Sequence, residues 1–173
     1  TSDCRAMVVI PTMLTSLTGI DRLIETLEIH HLANRDAHLH FALLTDFSDA
    51  AVESLPEDQV LLQRVIASIE MLNQKYPSAN QTLFFLLHRP RRWNLAEGVW
   101  MGYERKRGKL HELNRLLRGA TDTSFLPAAG CAPSAPAGVR YVITLDADTR
   151  LPRGAVLRLV GTMAHRLNRP RLD

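Results

Sequence analysis

The sequence predicts an α/β sandwich of Rossmann-like type, a mostly parallel sheet with helices on both faces. Two patterns carry that expectation. Short apolar runs alternate with segments whose apolar residues recur at helical spacing, the order that builds parallel sheets. The runs are also continuously apolar, as strands buried on both faces are. A third observation narrows the class: no Gly-x-Gly-x-x-Gly follows the first run, which argues against a dinucleotide ligand.

Each element follows from its residues. Ala6 to Ile10 is a β-branched run broken by Pro11, after which Ile20, Leu23, Ile24 and Leu27 mark a helix with Asp21 and Glu25 outside. His40 to Leu44 is a second strand ending at Thr45-Asp46, and Ser48-Asp49 makes a polar turn. Pro56-Glu57-Asp58 opens a second helix in acidic residues that suit its dipole, and Leu62, Val65, Ile66, Ile69 and Leu72 form its buried face. Thr82 to Leu87 is the third strand, ending in His88-Arg89-Pro90, and the leucines at 110, 113, 116 and 117 place a helix from about Lys109 to Arg118. The Ala/Pro/Gly/Ser mixture over 119–139 reads as a flexible surface loop, tacked down by Phe125 and Leu126. Tyr141 to Leu145 is the fourth strand, and Val156, Leu157, Val160 and Met163 begin another helix.

Composition limits what such a chain can be. With 173 residues, 46% of them hydrophobic, it can bury one core, and residues 1–173 read as one domain. The 21 basic against 18 acidic residues leave only +3, so nucleic acid is not an expected partner. Cys4 and Cys131 stand apart, in neither a Cys-x-x-Cys nor a Cys/His cluster, which argues against zinc. No apolar stretch approaches the roughly 18 residues that cross a bilayer, so this segment is expected to be soluble.

The carboxyl ends of parallel strands share one rim, where open α/β sheets bind ligands. That rim should collect Pro11-Thr12, Thr45-Asp46, His88-Arg89 and Asp146-Ala147-Asp148. The Asp-x-Asp after the fourth strand brings two hard carboxylates that suit a divalent cation neutralising a diphosphate. The plainer reading of each acid is loop solvation and capping.

Longer motifs add a resemblance. Phe85 to Asn94, Glu97 to Leu110 and Tyr141 to Thr149, with Val9-Ile10-Pro11-Thr12 and the Leu27 to Asp49 segment, resemble the glycosyltransferase region of bacterial cyclic β-1,2-glucan synthases. The resemblance implies a GT-A nucleotide-sugar-binding fold. It also implies a large inner-membrane protein whose transferase domain faces the cytoplasm and builds β-1,2-glucan from UDP-glucose. This chain would be the N-terminal, donor-binding part of that domain, partnered by the growing glucan and by the remaining domains, and meeting the membrane only through segments absent here. By the same resemblance Mg²⁺ or Mn²⁺ would sit on Asp148 and Asp146, and Asp46 would meet the base or ribose. Pro11, Thr12, Arg89, Gly108, Lys109 and Asp146 would line the donor, with Gly108-Lys109 at a helix N-terminus and Asn114 a turn later. The catalytic base is unknown and expected beyond Asp173.

Several residues keep two readings. Trp93 and Trp100 are expected to anchor loop packing, with a sugar platform as the alternative. Arg91 and Arg92 read as surface charge; His30, His31, His38 and His40 read as structural. The alternative function is a non-catalytic nucleotide-sugar-binding or regulatory module, which would keep the donor site and lack the base.

Overall fold

The computed structural model describes residues 4–78, 81–127 and 135–168. Four strands, β1 (Ala6–Leu14), β2 (Leu39–Phe47), β3 (Phe84–Arg89) and β6 (Tyr141–Thr144), form a parallel sheet in the order β3-β2-β1-β6. A separate antiparallel hairpin joins β4 (Arg92–Asn94) to β5 (Val99–Met101). The helices are α1 (Leu17–Ala33), α2 (Asp58–Lys75), α3 (Arg105–Leu117) and α4 (Ala155–Ala164). The chain is thus a Rossmann-like α/β unit, a parallel four-stranded sheet flanked by helices.

The continuous apolar strands serve two cores. Successive side chains point to opposite faces. Val8, Ile10, Phe41, Leu43 and Phe84 pack with Ile20, Leu27, Val65, Ile69, Val156 and Val160 on the α1, α2 and α4 side. Met7, Val9, Ala42, Leu44 and Leu87 pack with Leu113 and Phe125 on the α3 side. Both β1 and β2 are buried along almost their whole length, whereas β6 is only half-buried.

Several boundaries differ from the sequence expectation. Pro11 does not break β1, which continues to Leu14. Val9 accepts a bond from Leu145 on the β6 side, and by alternation Pro11 faces that side too, past the end of β6, where the missing N–H costs no ladder bond. Thr45 and Asp46 lie within β2, and His88 and Arg89 within β3, because the two strands stay in register through Thr45–His88 and Asp46–Arg89. The buried stripe of α2 is centred on Leu61, Val65, Ser68, Ile69 and Leu72, leaving Leu62 and Ile66 on its flank. The β4–β5 hairpin was not expected: its strands are three residues each, too short for a periodicity signal. Helix α3 opens at Arg105, a turn before the expected Lys109, after Glu104 and Arg105 take left-handed φ values of 49° and 45°.

Within the 119–139 segment Phe125 is buried in the second core and Leu126 donates to the His88 carbonyl at 2.7 Å, so the chain is held at these two residues. Residues 128–134, Cys131 among them, lie outside the described residues. No helix among the described residues is long and apolar enough to cross a membrane.

Candidate functional site

Strand order reverses at β1: β2 and β3 lie to one side, β6 to the other. Ligands of open α/β sheets bind at such a switch point, outside the carboxyl ends of the strands. Here the crevice lies between Pro11-Thr12-Met13 at the end of β1 and the Asp146–Thr149 turn after β6. A cavity of about 290 Å³ opens there, lined by Thr12, Thr15, Arg22, Ala147 and Asp148 among others.

Asp146 and Asp148 are both exposed. The turn is closed by Thr149 donating to the Asp146 carbonyl at 3.0 Å, and Asp146 pairs with Lys106 from the first turn of α3. Two accessible carboxylates are the donor type that a hard divalent cation takes. No group of three or more His, Cys, Asp or Glu side chains that would hold a metal by itself occurs among the described residues.

Behind this open edge lies a closed ionic cluster. Asp46, 2% exposed, accepts from Arg89 Nε at 2.8 Å and Nη2 at 3.0 Å, and its second oxygen lies 2.9 Å from Lys109 Nζ. Arg89 also donates to Glu112 at 3.2 Å and to the Arg105 carbonyl at 3.2 Å. Lys109 donates to the Thr12 carbonyl at 2.6 Å, tying α3 to the end of β1. Burial pulls the Lys109 pKa down against the pull of Asp46. Burial acts in the same direction on Arg89 but is outweighed by Asp46 and Glu112, so its pKa rises. Two buried cations facing two acids leave the cluster neutral, which is how charge survives away from water.

This arrangement brings together Thr12, Asp46, Arg89 and Lys109 by direct contact, and places Asp146 and Asp148 on the open side. Asp46, Arg89 and Lys109 are buried and their charged groups are engaged with one another. Gly108 lies in the second turn of α3, and the helix N-terminus expected there stands at Arg105 instead. A Cβ at Gly108 would come 2.1 Å from the Tyr103 carbonyl oxygen, so glycine is required for close backbone approach. Asn114 is exposed.

Sequence reasoning missed three contributors. Glu112 completes the cluster and holds the following loop by accepting from Ser124 N at 3.0 Å. Its spacing of three from Lys109 on one helix face was the available signal. Gly102 leaves room for Asp46, since a Cβ there would stand 2.4 Å from the carboxylate carbon. Lys106 pairs with Asp146 from the first turn of α3. Arg91 is corrected from surface charge: it is 4% exposed, donates to Asp58 at 3.0 Å and to the Ser48 and Glu53 carbonyls, and lies over Phe47 at 5.0 Å. His30, His31 and His40 are buried and structural: His31 packs edge-on to Phe41, Tyr76 and Phe84, and His40 bonds the Thr82 carbonyl at 3.0 Å.

No protein-family profile matches the chain. It is 51% identical over 168 residues, 97% of its length, to the cyclic beta-(1,2)-glucan synthase NdvB of Rhizobium meliloti (strain 1021). The chain spans 6% of that relative's length.

Proposed function

Because the chain is the counterpart of a short segment of a cyclic β-(1,2)-glucan synthase, we propose that it is the donor-binding part of a GT-A-type glucosyltransferase domain using UDP-glucose to extend β-1,2-glucan. The observation that carries this reading is the pair of exposed carboxylates, Asp146 and Asp148, at the β1/β6 switch point beside a cavity.

Asp148, with Asp146 assisting, would hold Mg²⁺ or Mn²⁺. A bound cation supplies Lewis-acid stabilisation of charge on the departing diphosphate. The chain's own residues shape the donor site. Thr12, with Pro11 beside it, forms one wall of the crevice, and the buried cluster of Asp46, Arg89 and Lys109 braces that wall from behind, with Gly108 allowing α3 to seat. Lys109 fixes the Thr12 carbonyl and so the shape of that wall. A β link made from an α-linked donor requires inversion at the anomeric carbon, which one in-line displacement achieves when a base takes the acceptor's proton. We place that base outside this chain.

Calorimetric titration with UDP tests the reading. Affinity is expected to rise with Mn²⁺ or Mg²⁺, and Asp148→Asn to abolish the metal dependence while leaving the circular dichroism spectrum unchanged. Equal UDP binding by the wild type with and without EDTA overturns it.

A further inference from the structure

Among the described residues that line the switch-point cavity, Arg22 is the one cation, and it stands there beside Asp148. The other basic side chains brought to this rim are spent inside the protein: Arg89 and Lys109 are buried against Asp46 and Glu112, and Lys106 is paired with Asp146. Arg22, in the second turn of α1, is exposed, and among the described residues no carboxylate pairs with it and no acceptor bonds to it. Glu25 follows three residues on along the same helix, within the reach of a local ion pair, and is left unpaired as well.

A fixed support carries this arginine. Ser16 caps α1 by accepting from Gly19 N at 3.0 Å. The residues on either side of Arg22 are anchored: Asp21 accepts from Arg64 of α2 at 2.7 and 3.0 Å, and Leu23 is buried in the core. The guanidinium therefore extends from a backbone that is held in place, with its five N–H donors open. Gly19, one turn earlier, also lines the cavity and puts no side chain into it, although glycine lowers helix stability.

The chemistry around the cavity selects a phosphate rather than a base. Thr12, Thr15 and Thr26 add hydroxyls that can donate, and no described residue of the lining is aromatic, so nothing there stacks on a nucleobase. At about 290 Å³ the cavity takes one part of a nucleotide sugar, not the whole. Asp148 carrying a divalent cation is one positive charge in excess, and Arg22 makes two, the complement of two phosphates that each keep one ionised oxygen. A planar guanidinium also meets phosphate oxygens with two parallel hydrogen bonds, a geometry that an ammonium cannot copy.

We infer that Arg22 is a direct protein ligand of the donor's diphosphate, holding it from the α1 side of the cavity while Asp148 stands on the other. That the diphosphate belongs to a nucleotide sugar rests on the proposed function; the diphosphate site itself rests on the cavity and its unpaired guanidinium.

The test uses the full natural polypeptide that carries this chain, titrated in Mn²⁺ separately with UDP and with inorganic pyrophosphate. Arg22→Ala is expected to weaken both about tenfold, as loss of charge-assisted hydrogen bonds does, and Arg22→Lys to recover part of the loss. Arg158→Ala, which removes an exposed cation of α4, should leave both affinities within about twofold of the wild type. Equal UDP and pyrophosphate binding by wild type and Arg22→Ala overturns the assignment, and metal-dependent UDP binding in that case leaves the donor reading standing. An equal loss in Arg158→Ala overturns it too, because the effect would then belong to net charge. So does a loss confined to UDP, since Arg22 would then meet the nucleoside. Arg22-dependent pyrophosphate binding without any UDP binding would uphold the diphosphate site and defeat the donor reading; a wild type that binds neither overturns both.

Discussion

His88, beside the buried ionic cluster, makes the stability of the fold depend on pH. Its ring is 3% exposed, packs edge-on to Phe47 at 4.3 Å, and shares a 2.8 Å hydrogen bond with Thr45 Oγ1. Burial drives its pKa from 6.5 down to about 4, although Asp46 and Asp58 favour the charged form; Lys109 and Arg89 oppose it. The unfolded chain therefore binds a proton that the folded chain refuses between those values. The stability tied to a neutral His88 is complete above the unfolded pKa and is lost as pH falls toward the folded one. Between pH 7.5 and 5 that amounts to about 2 kcal/mol. Burial lowers the pKa values of His30, His31 and His40 as well, adding to the same slope. Urea denaturation across this range should show the loss, and His88→Asn should flatten it; identical slopes would remove His88 from the account. At this scale the sequence named the rim residues but not their state. Asp46 and Arg89 were legible as strand-end residues, yet their burial depends on Lys109 and Glu112 from a helix far along the chain, and no local spacing records that pairing.

Among the elements, the strands and helices with strong apolar patterns were legible, and the errors fell where backbone geometry decided. The start of α3 is the clearest case. Its basic opening offers no capping residue, and the chain enters the helix through two left-handed residues, Glu104 and Arg105, which composition does not reveal. Gly108 then has to pass beside the Tyr103 carbonyl. Glycine inside a helix ordinarily costs up to about 1 kcal/mol relative to alanine, so two substitutions should part in sign. Gly161→Ala in α4, where an added Cβ meets nothing within 4 Å, is expected to stabilise the protein by about 0.5–1 kcal/mol. Gly108→Ala, with its Cβ 2.1 Å from a backbone oxygen, is expected to destabilise by about 1–3 kcal/mol. Chemical denaturation of both variants decides the matter: two stabilising outcomes would mean that α3 seats less tightly than described.

On the scale of the whole molecule, the parallel α/β class was readable from continuous apolar runs, whereas strand order was not, because runs buried on both faces say nothing of their neighbours. That order leaves β6 as a half-buried edge, and what fastens it lies elsewhere. Helix α4 has Gly154 at its N-cap, which offers no capping side chain. The cap comes from Asn34 at the end of α1, 5% exposed, whose Oδ1 accepts from Val156 N at 3.1 Å while its Nδ2 donates to the His30 carbonyl at 3.3 Å. Gly154 N adds a bond to the Ala33 carbonyl at 3.0 Å. The Asp146–Thr149 turn lies between β6 and α4, so this latch also steadies the proposed metal-binding acids. Asn34→Ala would leave the buried Val156 N–H without its acceptor, a cost of about 1–3 kcal/mol confined to the β6–α4 unit. Hydrogen exchange followed by mass spectrometry should find α4 and β6 amides exchanging roughly ten times faster or more in the variant, with the amides of β1 and β2 unchanged. If β1 and β2 accelerate equally, Asn34 supports the whole sheet and the edge is not a separate unit. If only α4 and β6 respond, UDP affinity in the presence of Mn²⁺ should fall in the same variant, because the acids that hold the cation would then ride on a loosened turn.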